Sequence, residues 1–155
     1  MSQEGKYHPT IRELSNRDAR QESVHKWCAE AFGDAHAGDP ATRGLRLLEE
    51  AIEAYQSATL GLPVDEIRAT AHKLVDHVFN RVTGDLVQEI GGVGVTLLAL
   101  CSSVGVSADY AELQEYCRVK SKPLAHFRQR QQTKKDAGFD LAELSRKHTT
   151  PKETA

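Results

Sequence analysis

The stretch "RLLEEAIEAYQ", residues 46–56, carries three carboxylates at spacings that a helix would bring together. Glu50 and Glu53 are three residues apart and Glu49 and Glu53 are four apart, so on a helix they occupy adjoining turns. Aliphatic residues interleave with them, which places part of this acidic surface at the edge of an apolar stripe, where unpaired carboxylates are costly. Basic partners would offset that cost, and so would a hard divalent cation that prefers oxygen ligands.

A fourth carboxylate, Glu89, stands near the start of "QEIGGVGVTLLALC", residues 88–101. Across an antiparallel helix pair it could face Glu50 and Glu53 and complete a Mg²⁺ site. Because Mg²⁺ keeps several waters and completes its octahedron with substrate phosphates, such a site predicts a phosphorylated substrate. Two alternatives stay open: Arg43 and Arg46 supply basic partners from the preceding turn, or the glutamates form a solvated helix face.

The stretch that follows Glu89 is uncharged for 17 residues, from Ile90 to Val106, which is the lower limit for crossing a bilayer. Two serines and a glycine weaken its end, which disfavours a membrane span. A phosphate loop is disfavoured too, because "GGVG" lacks the GxGxxG spacing and no strand precedes it. We therefore predict a helix that is apolar all round and lies at the centre of a helical bundle, where Gly91 and Gly94 admit a close neighbour.

Helical spacing recurs along the rest of the chain, whereas aromatic residues make up only 6% and no long polar–apolar alternation indicates strands. The pattern predicts helices over about 15–32, ending near Gly33, and over about 41–59, ending at Gly61. Pro63 opens a third helix, and Ser107 caps a last one that stops at Pro123. The predicted buried stripe of the third helix is Ile67, Ala71, Leu74, Val75, Val78 and Phe79.

Length and composition indicate one soluble domain of 155 residues with a net charge of -2, and they do not favour a nucleic-acid binder. Residues 121–155 are basic, with 8 Lys/Arg against 4 Asp/Glu. We expect a flexible segment over 1–14, a helical domain over 15–122, and a partly disordered tail over 123–155 in which "FDLAELSRK" forms a short helix. Three scattered cysteines and a polar start predict reduced thiols, cytoplasmic localisation and no membrane association.

The two acidic stretches together resemble the MazG-like, all-α nucleotide pyrophosphohydrolases, which carry EExxE on one helix and ExxD on a later one. Glu49, Glu50 and Glu53 fit EExxE, Glu89 fits the first position of ExxD, and the similarity covers about residues 24–120. The resemblance implies a helical bundle of about five helices that pairs as a homodimer. It also implies Mg²⁺-dependent hydrolysis of a nucleoside triphosphate, ribose or deoxyribose, to the monophosphate and pyrophosphate.

The resemblance assigns the metal to Glu50, Glu53 and Glu89, with Mn²⁺ as a possible substitute for Mg²⁺, and leaves Glu49 to orient or deprotonate the attacking water. Four basic residues are candidates for phosphate contacts or, alternatively, for ordinary surface salt bridges: Arg43, Arg46, Lys120 and Lys122. Trp27 and Phe32 are expected in the core, with base stacking as the alternative.

Two departures from the family pattern affect the predicted activity. Gly92 stands where the family has the aspartate of ExxD, and 35 residues separate Glu53 from Glu89, more than is usual. Asp85, one turn before Glu89, could replace the missing ligand or could simply stabilise the helix N-terminus. Two rival functions follow: a protein that binds nucleotides but hydrolyses them poorly, and a helical interaction protein whose glutamates form surface salt bridges.

Overall fold

The computed structural model describes residues 6–139, and these residues form helices and no strands, so the predicted all-α class is confirmed. The described helices are α1 (Ile11–Ser15), α2 (Arg17–Phe32), α3 (Asp34–Ala37), α4 (Pro40–Ala58), α5 (Val64–Phe79), α6 (Leu86–Ser103), α7 (Ala108–Lys120) and α8 (Leu124–Asp136). The helices predicted over about 15–32 and 41–59 correspond to α2 and α4, the helix opened by Pro63 corresponds to α5, and the helix between Ser107 and Pro123 corresponds to α7.

Local capping chemistry explains where several of these helices begin and end. The side chain of Asn16 accepts hydrogen bonds from the first backbone N–H groups of α2, and Gly33 ends that helix at φ +88°, a conformation that favours glycine. Asp85 accepts from the backbone N–H of Gln88 at 3.0 Å and so caps α6. The alternative that Asp85 stabilises a helix N-terminus is therefore confirmed.

The chain divides into two compact units, and the boundaries fall inside α4, between Glu49 and Glu50, and inside α7, between Glu112 and Leu113. Unit 1 comprises residues 1–49 and 113–155, and unit 2 comprises residues 50–112. Helices α1 and α8 lie in segments that the sequence analysis placed outside the helical domain. The predicted disorder and short helix of the tail concern residues 140–155 and lie outside the described residues, apart from Phe139.

Unit 1 is held together by an aromatic cluster between α2 and α8. The ring of Trp27 packs edge-to-face on Phe127 at 4.8 Å and on Phe32 at 5.7 Å between centroids. Arg128 of α8 donates to the backbone carbonyls of Glu30 at 2.9 Å and of Ala31 at 3.2 Å, which satisfies acceptors in the last turn of α2. Trp27 and Phe32 thus pack within this cluster, and both are half-buried.

A buried carboxylate ties the N-terminal segment into unit 1. Glu13 accepts hydrogen bonds from the Tyr7 hydroxyl at 2.9 Å, from the Thr10 backbone at 2.7 Å and from the Tyr116 hydroxyl of α7. Burial by itself raises the pKa of this carboxyl, but the hydrogen bonds outweigh it and hold the pKa well below its usual value. Residues 7–15, part of the segment expected to be flexible, therefore have contacts more than 100 residues away.

Unit 2 differs from the predicted bundle because α5 and α6 contain no buried residue. Phe79 of the predicted stripe is 84% exposed and Leu98 of the predicted central helix is 60% exposed. A Cβ placed at Gly91 or Gly94 would meet no atom within 4 Å, so the close neighbour expected there is missing from the described chain. The burial prediction was wrong for a single chain, because periodicity shows which face of a helix must be covered but not which molecule covers it.

Helix α6 also meets the length and composition criteria for a membrane span. Its 18 residues have a mean hydropathy of 1.5, and none of them is buried within the described chain. The core helix of a soluble bundle meets the same criteria, so composition alone does not separate the two arrangements.

The three cysteines are free, as predicted. Cys28 is buried in unit 1, whereas Cys101 and Cys117 are half-buried.

Candidate functional site

Helix α4 presents the acidic motif, and the boundary between the units divides it. Asp39 precedes the helix and accepts a hydrogen bond from the Thr42 backbone at 2.9 Å, which fixes the first turn. Glu49 belongs to unit 1, whereas Glu50 and Glu53 belong to unit 2, as does Glu89 in the first turn of α6. The three proposed metal ligands therefore lie in one unit.

Glu49 is held by two cationic side chains. The Nζ of Lys134, on α8, lies 2.7 Å from its Oε1 and 2.6 Å from its Oε2, and Arg46 donates to Oε2 as well. Burial raises the pKa of Glu49, but the hydrogen bonds from Lys134 and Arg46 outweigh it and the pKa lies below its ordinary value. Glu49 is thus held as an anion, and one of its cations must move before it can accept a proton.

Glu50, Glu53 and Glu89 are exposed to solvent. Within residues 6–139 no three His, Cys, Asp or Glu side chains lie close enough together to hold a metal ion. Glu89 instead accepts a hydrogen bond from the Gly84 backbone at 2.8 Å. The three carboxylates have the oxygen chemistry that Mg²⁺ prefers, but a metal site requires them to move together or to be completed by another chain.

The space around Gly92 would admit the side chain of the aspartate that the family motif has at this position. A Cβ built on Gly92 meets no atom within 4 Å, and Gly92 is not among the residues with positive φ. The position lies three residues after Glu89 in α6, so a carboxylate there would share its face. The site therefore has room for the ligand that the sequence lacks.

The predicted phosphate contacts Arg43 and Arg46 both lie in unit 1 on α4. The guanidinium of Arg43 lies 5.7 Å from the centroid of the Phe32 ring, and its Nη1 is 3.5 Å from the Cys28 sulfur. Arg46 binds Glu49, as the salt-bridge alternative predicts. Burial raises the pKa of the Cys28 thiol, which keeps it protonated beside Arg43.

Lys120 and Lys122, the other two candidates, come from the end of α7 and the turn after it, also in unit 1. The ammonium of Lys120 lies 5.2 Å from the centroid of the Tyr7 ring and 3.4 Å from the Ser23 hydroxyl. Lys122 is half-buried, and its side chain forms no hydrogen bond or ion pair within residues 6–139. Within unit 1, neither lysine forms an ion pair with Glu49, whose ion-pair partners are Arg46 and Lys134.

Sequence reasoning missed Lys134, which contacts Glu49 from 85 residues away. The only signal was the basic character of "QQTKKD", which lies in the segment predicted to be a basic, partly disordered tail. Because Lys134 lies beyond the region of family resemblance, the family pattern could not identify it either.

Comparisons of the chain with protein-family models, with curated proteins and with solved structures found no match. The resemblance to the MazG-like enzymes therefore rests on the motifs described above.

Proposed function

We propose that this protein is a cytoplasmic, Mg²⁺-dependent nucleoside triphosphate pyrophosphohydrolase of the MazG-like type, acting in nucleotide metabolism as a homodimer. The observation that carries the proposal is the helical placement of its acidic motif. Glu49, Glu50 and Glu53 occupy adjoining turns of α4, and Glu89 occupies the first turn of a second helix, as EExxE and ExxD require.

In this proposal Glu50, Glu53 and Glu89 hold the cation, and their exposure lets a hydrated ion reach them. Bound Mg²⁺ or Mn²⁺ would neutralise phosphate charge and lower the pKa of a bound water. Glu49, already ionised, would orient the attacking water and accept its proton once one of its cations has moved away. The water oxygen bonds to phosphorus, the bridge between the α and β phosphates breaks, and pyrophosphate leaves as an anion.

The exposed apolar side chains of unit 2 support the homodimer. Monomeric soluble proteins rarely expose contiguous apolar patches larger than a few hundred Å². On α5 and α6 the large exposed apolar residues include Leu74, Phe79, Ile90, Val95 and Leu98. We define these two helices as the apolar surface of unit 2, and a second copy of the chain covers it in the proposed dimer.

The test is pyrophosphate release from a panel of NTPs and dNTPs with and without Mg²⁺. Turnover should require the metal and should be lost in E50Q. The matched control is E66Q, which removes an exposed carboxylate from α5. Equal turnover in E50Q and E66Q would refute the assigned metal site, and the absence of turnover from every nucleotide would refute the enzyme.

A nucleotide-binding protein with weak hydrolysis is the second candidate, and Gly92 is the observation that favours it. It predicts that nucleotides raise the melting temperature without releasing pyrophosphate, since a ligand of the native state stabilises it. The exposed apolar surface of unit 2 also fits a helical interaction protein. That third candidate predicts no change in melting temperature with either nucleotide or metal.

A further inference from the structure

Arg46 and Lys134 both bind the carboxylate of Glu49, and we call these three residues the Glu49 ion cluster. Lys134 contacts both oxygens of Glu49, and Arg46 contacts one of them. All three residues belong to unit 1. The Glu49 carboxylate therefore bridges two cations that would otherwise repel each other.

The cluster is accessible to a ligand from solvent. The side chains of Lys134, Glu49 and Arg46 retain 27%, 34% and 36% of their exposure. Ion pairs exposed to this degree contribute little to stability, so exchanging one anion for another carries a small cost. A polyphosphate brings several negative charges and many acceptor oxygens, and charge-assisted hydrogen bonds to such groups are stronger than neutral ones.

Packing that does not depend on Glu49 places Lys134 in this position. Two turns earlier on α8, Phe127 packs on Trp27 and Arg128 binds the last carbonyls of α2. The helix that carries Lys134 is therefore anchored without the ion pair. A side chain placed in advance loses less freedom when it binds a ligand, which favours a binding role over an incidental surface pair.

We propose that Lys134 and Arg46 form an anion subsite for the polyphosphate of the substrate, and that Glu49 occupies this subsite until the phosphates displace it. The proposal rests on the proposed function for the identity of the ligand, because a nucleoside triphosphate supplies the polyphosphate. Displacement transfers the two cations to the phosphates and releases both oxygens of Glu49. Substrate binding and the release of the carboxylate are thus coupled.

Binding of inorganic tripolyphosphate to the full-length protein, measured by calorimetry, tests the subsite. K134Q should weaken binding about tenfold, the usual effect of losing one hydrogen bond to a charged group, and K134R should restore most of it. E49Q should have the opposite effect and tighten binding, because it removes the competing anion. The control R130Q removes a charge from the same helix at an exposed residue and should bind as the wild type does.

Equal affinity in K134Q and R130Q would overturn the subsite, and so would an E49Q variant that binds no more tightly than wild type. Circular dichroism checks that each variant folds, and E49Q keeps the test decisive if K134Q does not fold. Pyrophosphate release from nucleotides is measured separately. Lys134-dependent binding without turnover would reject the enzyme and keep the subsite, whereas turnover without Lys134 dependence would reject the subsite alone.

Discussion

Replacing Gly92 by aspartate restores the family motif and tests whether Glu89 belongs to a metal site. The structure indicates how the substitution should change the free energy of unfolding when no metal is present. Gly92 lies inside α6 with open space around its Cα, so an alanine there should stabilise the helix by up to about 1 kcal/mol. Aspartate gains less, and its repulsion with Glu89 three residues earlier removes about 0.2–0.5 kcal/mol. Without metal, the free energy of unfolding of G92D should therefore lie within about 0.5 kcal/mol of the wild-type value.

Added Mg²⁺ should stabilise G92D more than it stabilises the wild-type protein. If the new carboxylate becomes a ligand and tightens Mg²⁺ binding tenfold, saturating metal adds about 1.4 kcal/mol of stability. For a chain of this size that corresponds to a rise in melting temperature of about 3–6 °C above the shift in wild type. The melting temperature is followed by circular dichroism during a Mg²⁺ titration, and pyrophosphate release is measured in parallel.

Two controls at the same position make the result interpretable. G92A reports helix propensity alone, and G92N adds a side chain of the same shape without the charge. If Mg²⁺ raises the melting temperature of G92D no more than that of G92N, position 92 does not face a cation. Glu89 would then have no role in a metal site, and the resemblance to ExxD would be coincidental.

The remaining predictions concern stability and assembly. The folded-state pKa of Glu13 lies below its unfolded value of 4.5, so its contribution is present above pH 4.5 and is lost as the pH falls through the folded-state value. E13Q should lower the free energy of unfolding, measured in urea, by about 1–3 kcal/mol at pH 7 and by less near pH 3. An equal decrease at the two pH values would contradict the conclusion that Glu13 is ionised in the folded protein. Light scattering should show a dimer. L98D should dissociate this dimer, whereas I11D, an exposed control in α1, should not. If the wild-type protein instead floats with phosphatidylcholine vesicles, a membrane covers α6 in place of a second chain. R128A should lower the melting temperature by about 2–4 °C, the effect of about 1 kcal/mol, because the last carbonyls of α2 lose their donor, whereas R130A should not.

Local features of the fold could be predicted from the sequence because their causes are local. The end of α2 at Gly33 follows from its positive φ, and the start of α6 follows from the Asp85 side chain three residues before the N–H that it binds. Helical periodicity likewise located α4 and α5 to within a few residues. Each of these signals lies within one or two turns of the residues that it organises.

Contacts between distant segments could not be predicted, and these define the candidate site. Lys134 meets Glu49 across 85 residues and Tyr116 meets Glu13 across 103. No spacing rule links such pairs, because they depend on how helices pack after they form. The apolar character of α6 was evident, but its exposure was not, since the pattern does not distinguish a partner helix of the same chain from one of another molecule.

The division of the chain determines the order in which the parts can form during synthesis on the ribosome. Unit 1 needs two separate segments of the chain, since Tyr116 completes the hydrogen bonds of Glu13. Closing a loop of about 100 residues carries an entropic cost of about 4 kcal/mol, so this contact forms late. A nascent chain that has not reached Tyr116 leaves the Glu13 carboxylate without one of its donors, and all residues of the inserted unit 2 are synthesised before that donor.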